Sequence, residues 1–183
     1  DGIQFGMSIV YYEAKEPLGT AGSFYYLKEM VSGEDFLMMF GDLMFDIDFE
    51  RMLWFHREKE AAATLFVHPN GHPFDSDLLV LDEEERVIRF DSKHNTRDYW
   101  YENCVNAGIF VFSRRIFDYV PEPVKRNLEN DVIQTMVQNG EAVYGYRSPE
   151  YVKDVGTMER IAQTIKDMER GIIERKCLKH KQR

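Results

Sequence analysis

The chain has 183 residues, 44% of them hydrophobic and 14% aromatic, which is enough for one compact core of ordinary domain size. Its formal net charge of −9 argues against a general nucleic-acid binder, which needs excess Lys and Arg to neutralise phosphates, yet a local basic site with a divalent cation could still hold a small phosphorylated ligand. No apolar run reaches the roughly 18 residues of a membrane span, and no secretory pattern opens the chain. Cys104 and Cys177 fit neither a zinc knuckle nor a disulfide framework, so a soluble protein of the reducing cytoplasm is expected.

Residues 7–13 (MSIVYYE) are β-branched and aromatic and predict a buried strand, followed by a loop punctuated by Pro17 and Gly19. Thr20 is placed to cap a helix carrying Ala21, Phe24, Leu27 and Val31 at helical spacing, with Gly33 as its stop. Residues 36–40 (FLMMF) have no polar interruption, as in a strand covered on both faces, and Gly41 and Asp42 stand at its carboxyl end. Helical periodicity over 49–59 and a strand over 61–67 continue the alternation of an α/β domain with a mostly parallel sheet. The pattern then loosens into short strands at 78–81 and 86–90 around the acidic turn 82–85. A buried strand at 105–112, a helix at 127–138 and strands at 142–146 and 151–154 follow. Residues 158–174 predict an amphipathic helix with Ile161, Ile165, Met168 and Ile172 on one side, and 175–183 form a basic tail.

Ligands of open α/β sheets collect outside the carboxyl ends of strands, which makes Asp42 a candidate magnesium ligand, although a loop-capping role serves equally well. Asp154 ends another predicted strand beside Gly156 and Thr157; taken alone it reads as the cap region of the last helix. The segment Glu16-Pro-Leu-Gly-Thr-Ala-Gly22 joins strand to helix and could bring backbone N–H groups to a nucleotide. His68 and His72 flank Asn70-Gly71, a turn signal rather than a metal pair. Asp46 and Asp48 precede Phe49, which suits helix capping better than the metal-binding pair of a glycosyltransferase. Tyr11, Tyr12, Phe24, Tyr25 and Tyr26 read as packing residues rather than a platform for a base.

The order of these features resembles the sugar-1-phosphate nucleotidyltransferases. Residues 16–22 (EPLGTAG), 40–42 (FGD), Lys93, 106–112 (NAGIFVF) and 153–157 (KDVGT) follow one another as that family's motifs do, over about residues 5–165. The resemblance implies a Rossmann-like, mostly parallel sheet with helices on both faces and an inserted sugar-binding lobe. It implies Mg²⁺-dependent transfer of a nucleoside monophosphate from a nucleoside triphosphate to a sugar 1-phosphate. Asp42 and Asp154 would bind the metal, and Glu16, Leu18, Gly19, Thr20 and Gly41 the nucleotide. Lys93, Asn106 and Gly108 would bind the sugar phosphate, with Lys93 also serving catalysis. Ser92 and His94 stand where the family surrounds its lysine with Glu and Pro.

The family's first strands and its Gly-rich, Arg-containing loop have no counterpart in this sequence. An N-terminally truncated catalytic domain at 1–168 is therefore expected, inactive when tested alone, with the end of the last helix and a basic linker or tail at 169–183. The tail also resembles the lead-in to a phosphatase domain of the haloacid-dehalogenase type. The loop LGTAG looks most like that of members using GTP with mannose-type or heptose sugars. A silent sugar-nucleotide-binding regulatory subunit and a glycosyltransferase are the alternatives, and a homo-oligomer is left open.

Overall fold

The computed structural model describes residues 2–173. Along the chain run α1 (Phe24–Leu27), β1 (Asp35–Met39), β2 (Leu43–Asp46), α2 (Phe49–Glu58), β3 (Ala63–His68), β4 (Leu78–Leu81) and β5 (Val87–Asp91). They are followed by β6 (Val105–Ser113), a π-helical turn Leu128–Ile133 leading into α3 (Gln134–Gln138), β7 (Val143–Arg147), β8 (Tyr151–Asp154) and α4 (Met158–Glu169).

Four strands form the central sheet in the order β1-β6-β3-β7. β3 and β7 are parallel, and β6 runs against both β1 and β3, so three of the four strands share one direction and β6 is the reversed one. Strand alternation sends the side chains of β6 to two cores. Phe110 and Phe112 enter one with Phe24, Leu128, Val132 and Met136, beneath α1 and the π-helical turn. Ile109 and Val111 enter the other with Met52 of α2 and Val152 of β8. Helices thus cover both faces. The chain between β3 and β6 leaves the sheet to form the β4–β5 hairpin, whose Leu79 and Val87 pack back into the first core.

β2 and β8 pair outside the central sheet as an antiparallel ribbon, with Leu43 opposite Asp154. That register brings together the two segments that carry the candidate aspartates.

Several sequence expectations change here. Residues 7–13 form no strand and their side chains are exposed; among the described residues no strand pairs with them. The helix expected from Thr20 shrinks to Phe24–Leu27, and Thr20 instead accepts the backbone N–H of Leu128 through Oγ1 at 2.8 Å, capping the distant π-helical turn. β1 is an edge strand and only half-buried, since β6 pairs with one of its sides alone. Phe24 is in the core, but Tyr11, Tyr12, Tyr25 and Tyr26 are exposed, with Tyr12 stacked on Tyr26. Asp48 does cap α2, accepting from the Arg51 N–H. The final helix ends at Glu169, short of the expected 158–174, and residue 174, the tail 175–183 and Cys177 lie outside the described residues. Among the described residues no helix is long and apolar enough to cross a membrane.

Candidate active site

Asp42 follows β1 and opens β2, while Asp154 ends β8 directly across the ribbon. The Val155 N–H donates to the Asp42 carbonyl at 2.8 Å and fixes the two turns against each other. Gly156 lies between the carboxylates: a Cβ built on it would stand 3.0 Å from Asp154 Oδ1 and 3.6 Å from Asp42 Oδ2. Both aspartates therefore reach one point, although 112 positions of sequence separate them. A side chain there would enter the space between them.

The pair lines an open cleft of about 620 Å³ together with Phe40, His68, His72, Asn106, Gly108, Glu129, Lys153, Arg160 and Gln163. Asn106 is held at both ends of its amide, donating from Nδ2 to Glu129 Oε1 at 2.6 Å and accepting the Gly108 N–H on Oδ1 at 3.1 Å. Burial pushes the Glu129 carboxyl above the usual range, opposed by the bond from Asn106. Burial lowers the pKa of His68.

Each oxygen of Asp154 accepts one hydrogen bond. Oδ1 accepts the Gly156 N–H and Oδ2 accepts Arg160, each at 2.6 Å. The Gly156 bond first, and then Arg160, hold its carboxyl below the usual aspartate range against the cost of desolvation. Its neighbour Lys153 donates to Asp167 Oδ2 at 2.6 Å, and Asp167 also accepts Tyr151 and Gln163. These partners, Lys153 foremost, bring the Asp167 pKa down to about 2.

Asp42, Asn106, Gly108 and Asp154 thus line one cleft, with His68 and His72 also on its wall, and the nucleotide and sugar-phosphate residues expected beyond these lie elsewhere. Leu18 to Gly22 pack on the 124–128 segment, where Ala21 donates to the Arg126 carbonyl and Leu18 accepts from the Arg126 N–H, and neither Glu16 nor Gly19 lines the cleft. Gly41 sits between two lining residues without being one itself. Lys93 is on the loop after β5, its backbone N–H on Asp77 Oδ1 at 2.8 Å, one residue from the lining Ser76. That loop is clasped by the buried Asp91, which accepts Asn95, Arg97 and Tyr99. Burial would raise the Asp91 pKa, but the bonds from Asn95 and Tyr99 with the charge of Arg97 outweigh it and hold it low. His72 pairs with Asp75 as part of a turn, as Asn70-Gly71 implied. Arg160, Glu129 and Gln163 were not singled out in the sequence, and Lys153 entered only as the first residue of the motif at 153–157, with no role given to it.

A family model described as nucleotidyl transferase matches residues 1–171. The chain belongs to the nucleotidyl transferase family. It is 31% identical over 173 residues to a mannose-1-phosphate guanylyltransferase of Mycobacterium tuberculosis, a match covering 94% of this chain and 47% of that protein. A UTP–glucose-1-phosphate uridylyltransferase of Synechocystis is 26% identical, over 96% of this chain and 47% of its own length. A D-glycero-alpha-D-manno-heptose 1-phosphate guanylyltransferase of Aneurinibacillus thermoaerophilus is 27% identical, over 91% and 70%. The chain spans about half the length of the first two of these relatives. HddC from Yersinia pseudotuberculosis shares the fold, with a TM-score of 0.67 at 16% identity over 85% of this chain and 64% of that one. Within this nucleotidyl transferase family chain, the matched residues include every residue that lines the cleft.

Proposed function

We propose that the protein transfers a nucleoside monophosphate from a nucleoside triphosphate to a sugar 1-phosphate, releasing pyrophosphate and forming a nucleotide sugar. The observation that carries this reading is the convergence of Asp42 and Asp154 on one point in a cleft that also holds Asn106, Lys153 and Arg160. GTP is the favoured triphosphate, because the mannose and heptose guanylyltransferases are among the similar proteins.

The donor set fits a magnesium ion. Two carboxylates offer hard oxygens to a shared point, and among the described residues no larger cluster of His, Cys, Asp and Glu competes as a site for a softer metal. Mg²⁺ commonly takes one or two carboxylates and completes its shell with water and substrate phosphate. When bound, it supplies a Lewis-acid charge to the α-phosphoryl oxygens. Asp42 and Asp154 would hold it. Asn106, locked between Glu129 and Gly108, presents a fixed edge to the sugar, and Glu129 adds an acceptor for its hydroxyls. The cations of the cleft wall draw two polyanions together, so that an oxygen of the sugar phosphate meets the α-phosphorus in line and pyrophosphate leaves opposite. No covalent enzyme intermediate is required. Lys93 would reach the sugar phosphate from the rim beside Ser76.

Isothermal titration tests the reading. The protein should bind Mn²⁺, used as a Mg²⁺ surrogate, and a sugar 1-phosphate in its presence. Asp42→Asn and Gly156→Ala, which places a methyl between the carboxylates, should each weaken Mn²⁺ at least tenfold, about 1.4 kcal/mol. Failure to bind Mn²⁺, or binding untouched by both variants, would end the proposal.

A further inference from the structure

Arg160 has no evident reason of stability to be where it is. It is the third residue of α4, after the Thr157 cap that accepts its N–H, a position where Glu or Gln is the usual partner of a capping threonine. A cation there opposes the positive end of the helix dipole. Its bond to Asp154 is half-exposed on both sides, the class of ion pair that contributes about 0–1 kcal/mol. Yet the guanidinium lines the cleft and takes one oxygen of Asp154, while Gly156 takes the other. Lys153, the other cation of this wall, is committed to the buried Asp167. A divalent ion drawing on Asp154 Oδ2 competes with Arg160 for that oxygen, and the group it sets free is a planar fork suited to phosphate.

We propose that Arg160 couples cation and phosphate binding in this cleft: it neutralises Asp154 in the free protein, then passes its guanidinium to the substrate phosphate when Asp154 turns to a divalent ion. The inference rests on the nucleotidyl transfer reading and adds to it a phosphate-binding residue. It also requires that metal and sugar phosphate strengthen each other's binding, because the exchange converts an internal ion pair into a free positive charge facing the anion.

The test is titration calorimetry with Mn²⁺ alone, then mannose 1-phosphate with and without saturating Mn²⁺, on the chain and on Arg160→Gln and Arg160→Lys. Arg160→Gln should bind Mn²⁺ alone threefold or more tighter, having lost the internal competitor. It should bind mannose 1-phosphate in Mn²⁺ tenfold or more weaker. Arg160→Lys should keep part of the phosphate affinity through its charge, and unchanged far-UV dichroism will show that α4 persists. Weaker Mn²⁺ binding in Arg160→Gln would mean that the arginine merely shapes Asp154, and phosphate affinity equal to that of the parent would remove its proposed role. Either result, with a parent that binds both ligands, overturns this inference alone. A parent that binds no Mn²⁺ overturns the functional reading beneath it as well.

Discussion

Gly108 offers a measurement of how tightly the cleft is built, because a methyl there meets two separate obstacles. Its φ of +77° lies in the left-handed region, and its added Cβ would stand 2.5 Å from Cδ2 of the Phe40 ring. The backbone conformation costs an L-residue about 1–2 kcal/mol, and overpacking against a ring costs about 1–3 kcal/mol more. Gly140 separates the two, since its φ is +78° with no atom within 4 Å of the added carbon. Gly140→Ala should therefore show the backbone cost alone. In a chain of this size 1 kcal/mol moves the melting temperature by about 2–4 °C, so Gly140→Ala should lower it by about 2–8 °C and Gly108→Ala by about 4–20 °C. Differential scanning calorimetry on the two variants, with Phe40→Leu alone and combined with Gly108→Ala, completes the cycle. The smaller side chain at position 40 should recover part of the excess and none of the backbone term. Equal losses for Gly108→Ala and Gly140→Ala would refute the claim that Phe40 and Gly108 are packed against each other at the mouth of the cleft.

Two further outcomes follow from the charged groups. Lys93→Ala should raise the dissociation constant for a sugar 1-phosphate more than that for a triphosphate, and equal effects in the titrations would return Lys93 to the surface. Asp167, whose pKa is lowered to about 2, contributes stability that is complete above the ordinary aspartate value and is lost as pH falls from about 4 toward about 2. Melting temperatures followed by circular dichroism across that window should fall for the parent and fall less for Asp167→Asn, while a parent curve no steeper than the variant's would contradict the Lys153–Asp167 pairing.

How much of this was legible in the sequence depended on whether a residue's partner lay nearby along the chain. Strand β8 was read at its observed bounds and β6 to within one residue, because period and composition are local properties. Residue pattern placed Asp42 and Asp154 at strand ends, the resemblance implied that they work as a pair, and the β2–β8 ribbon brings them together. Thr20 misled because its hydroxyl satisfies a backbone group 108 positions away instead of its own helix. Residues 7–13 misled because strand propensity needs a partner strand to become a strand. The roles of Lys153 and Arg160 were illegible for another reason: their partners Asp167 and Asp154 lie only 14 and 6 positions away, but across the junction of a strand with a helix, where neither period predicts a contact.

The last helix shows how periodicity can be right about the element and wrong about its burial. Ile161, Ile165 and Met168 of the expected stripe fall on one face of α4, which ends at Glu169 before Ile172, and ordinary reasoning turns such a face to the core. In α4 the buried positions are instead Thr164 and Asp167, and Met158, Ile161 and Ile165 are exposed. The inversion follows from what the helix packs against. β8 presents Lys153 and Tyr151 to it, and only polar groups can satisfy an ammonium and a phenol without leaving them unpaired. Asp167 does so with three bonds, from Lys153, Tyr151 and Gln163, and the side that meets these groups carries Arg160 and Gln163 to the cleft. The helix is therefore oriented by the polar wall of the cleft rather than by the apolar core. It follows that removing the Asp167 carboxylate should disturb Arg160 and Gln163 together, and that the cleft and the last helix should lose their order as one unit.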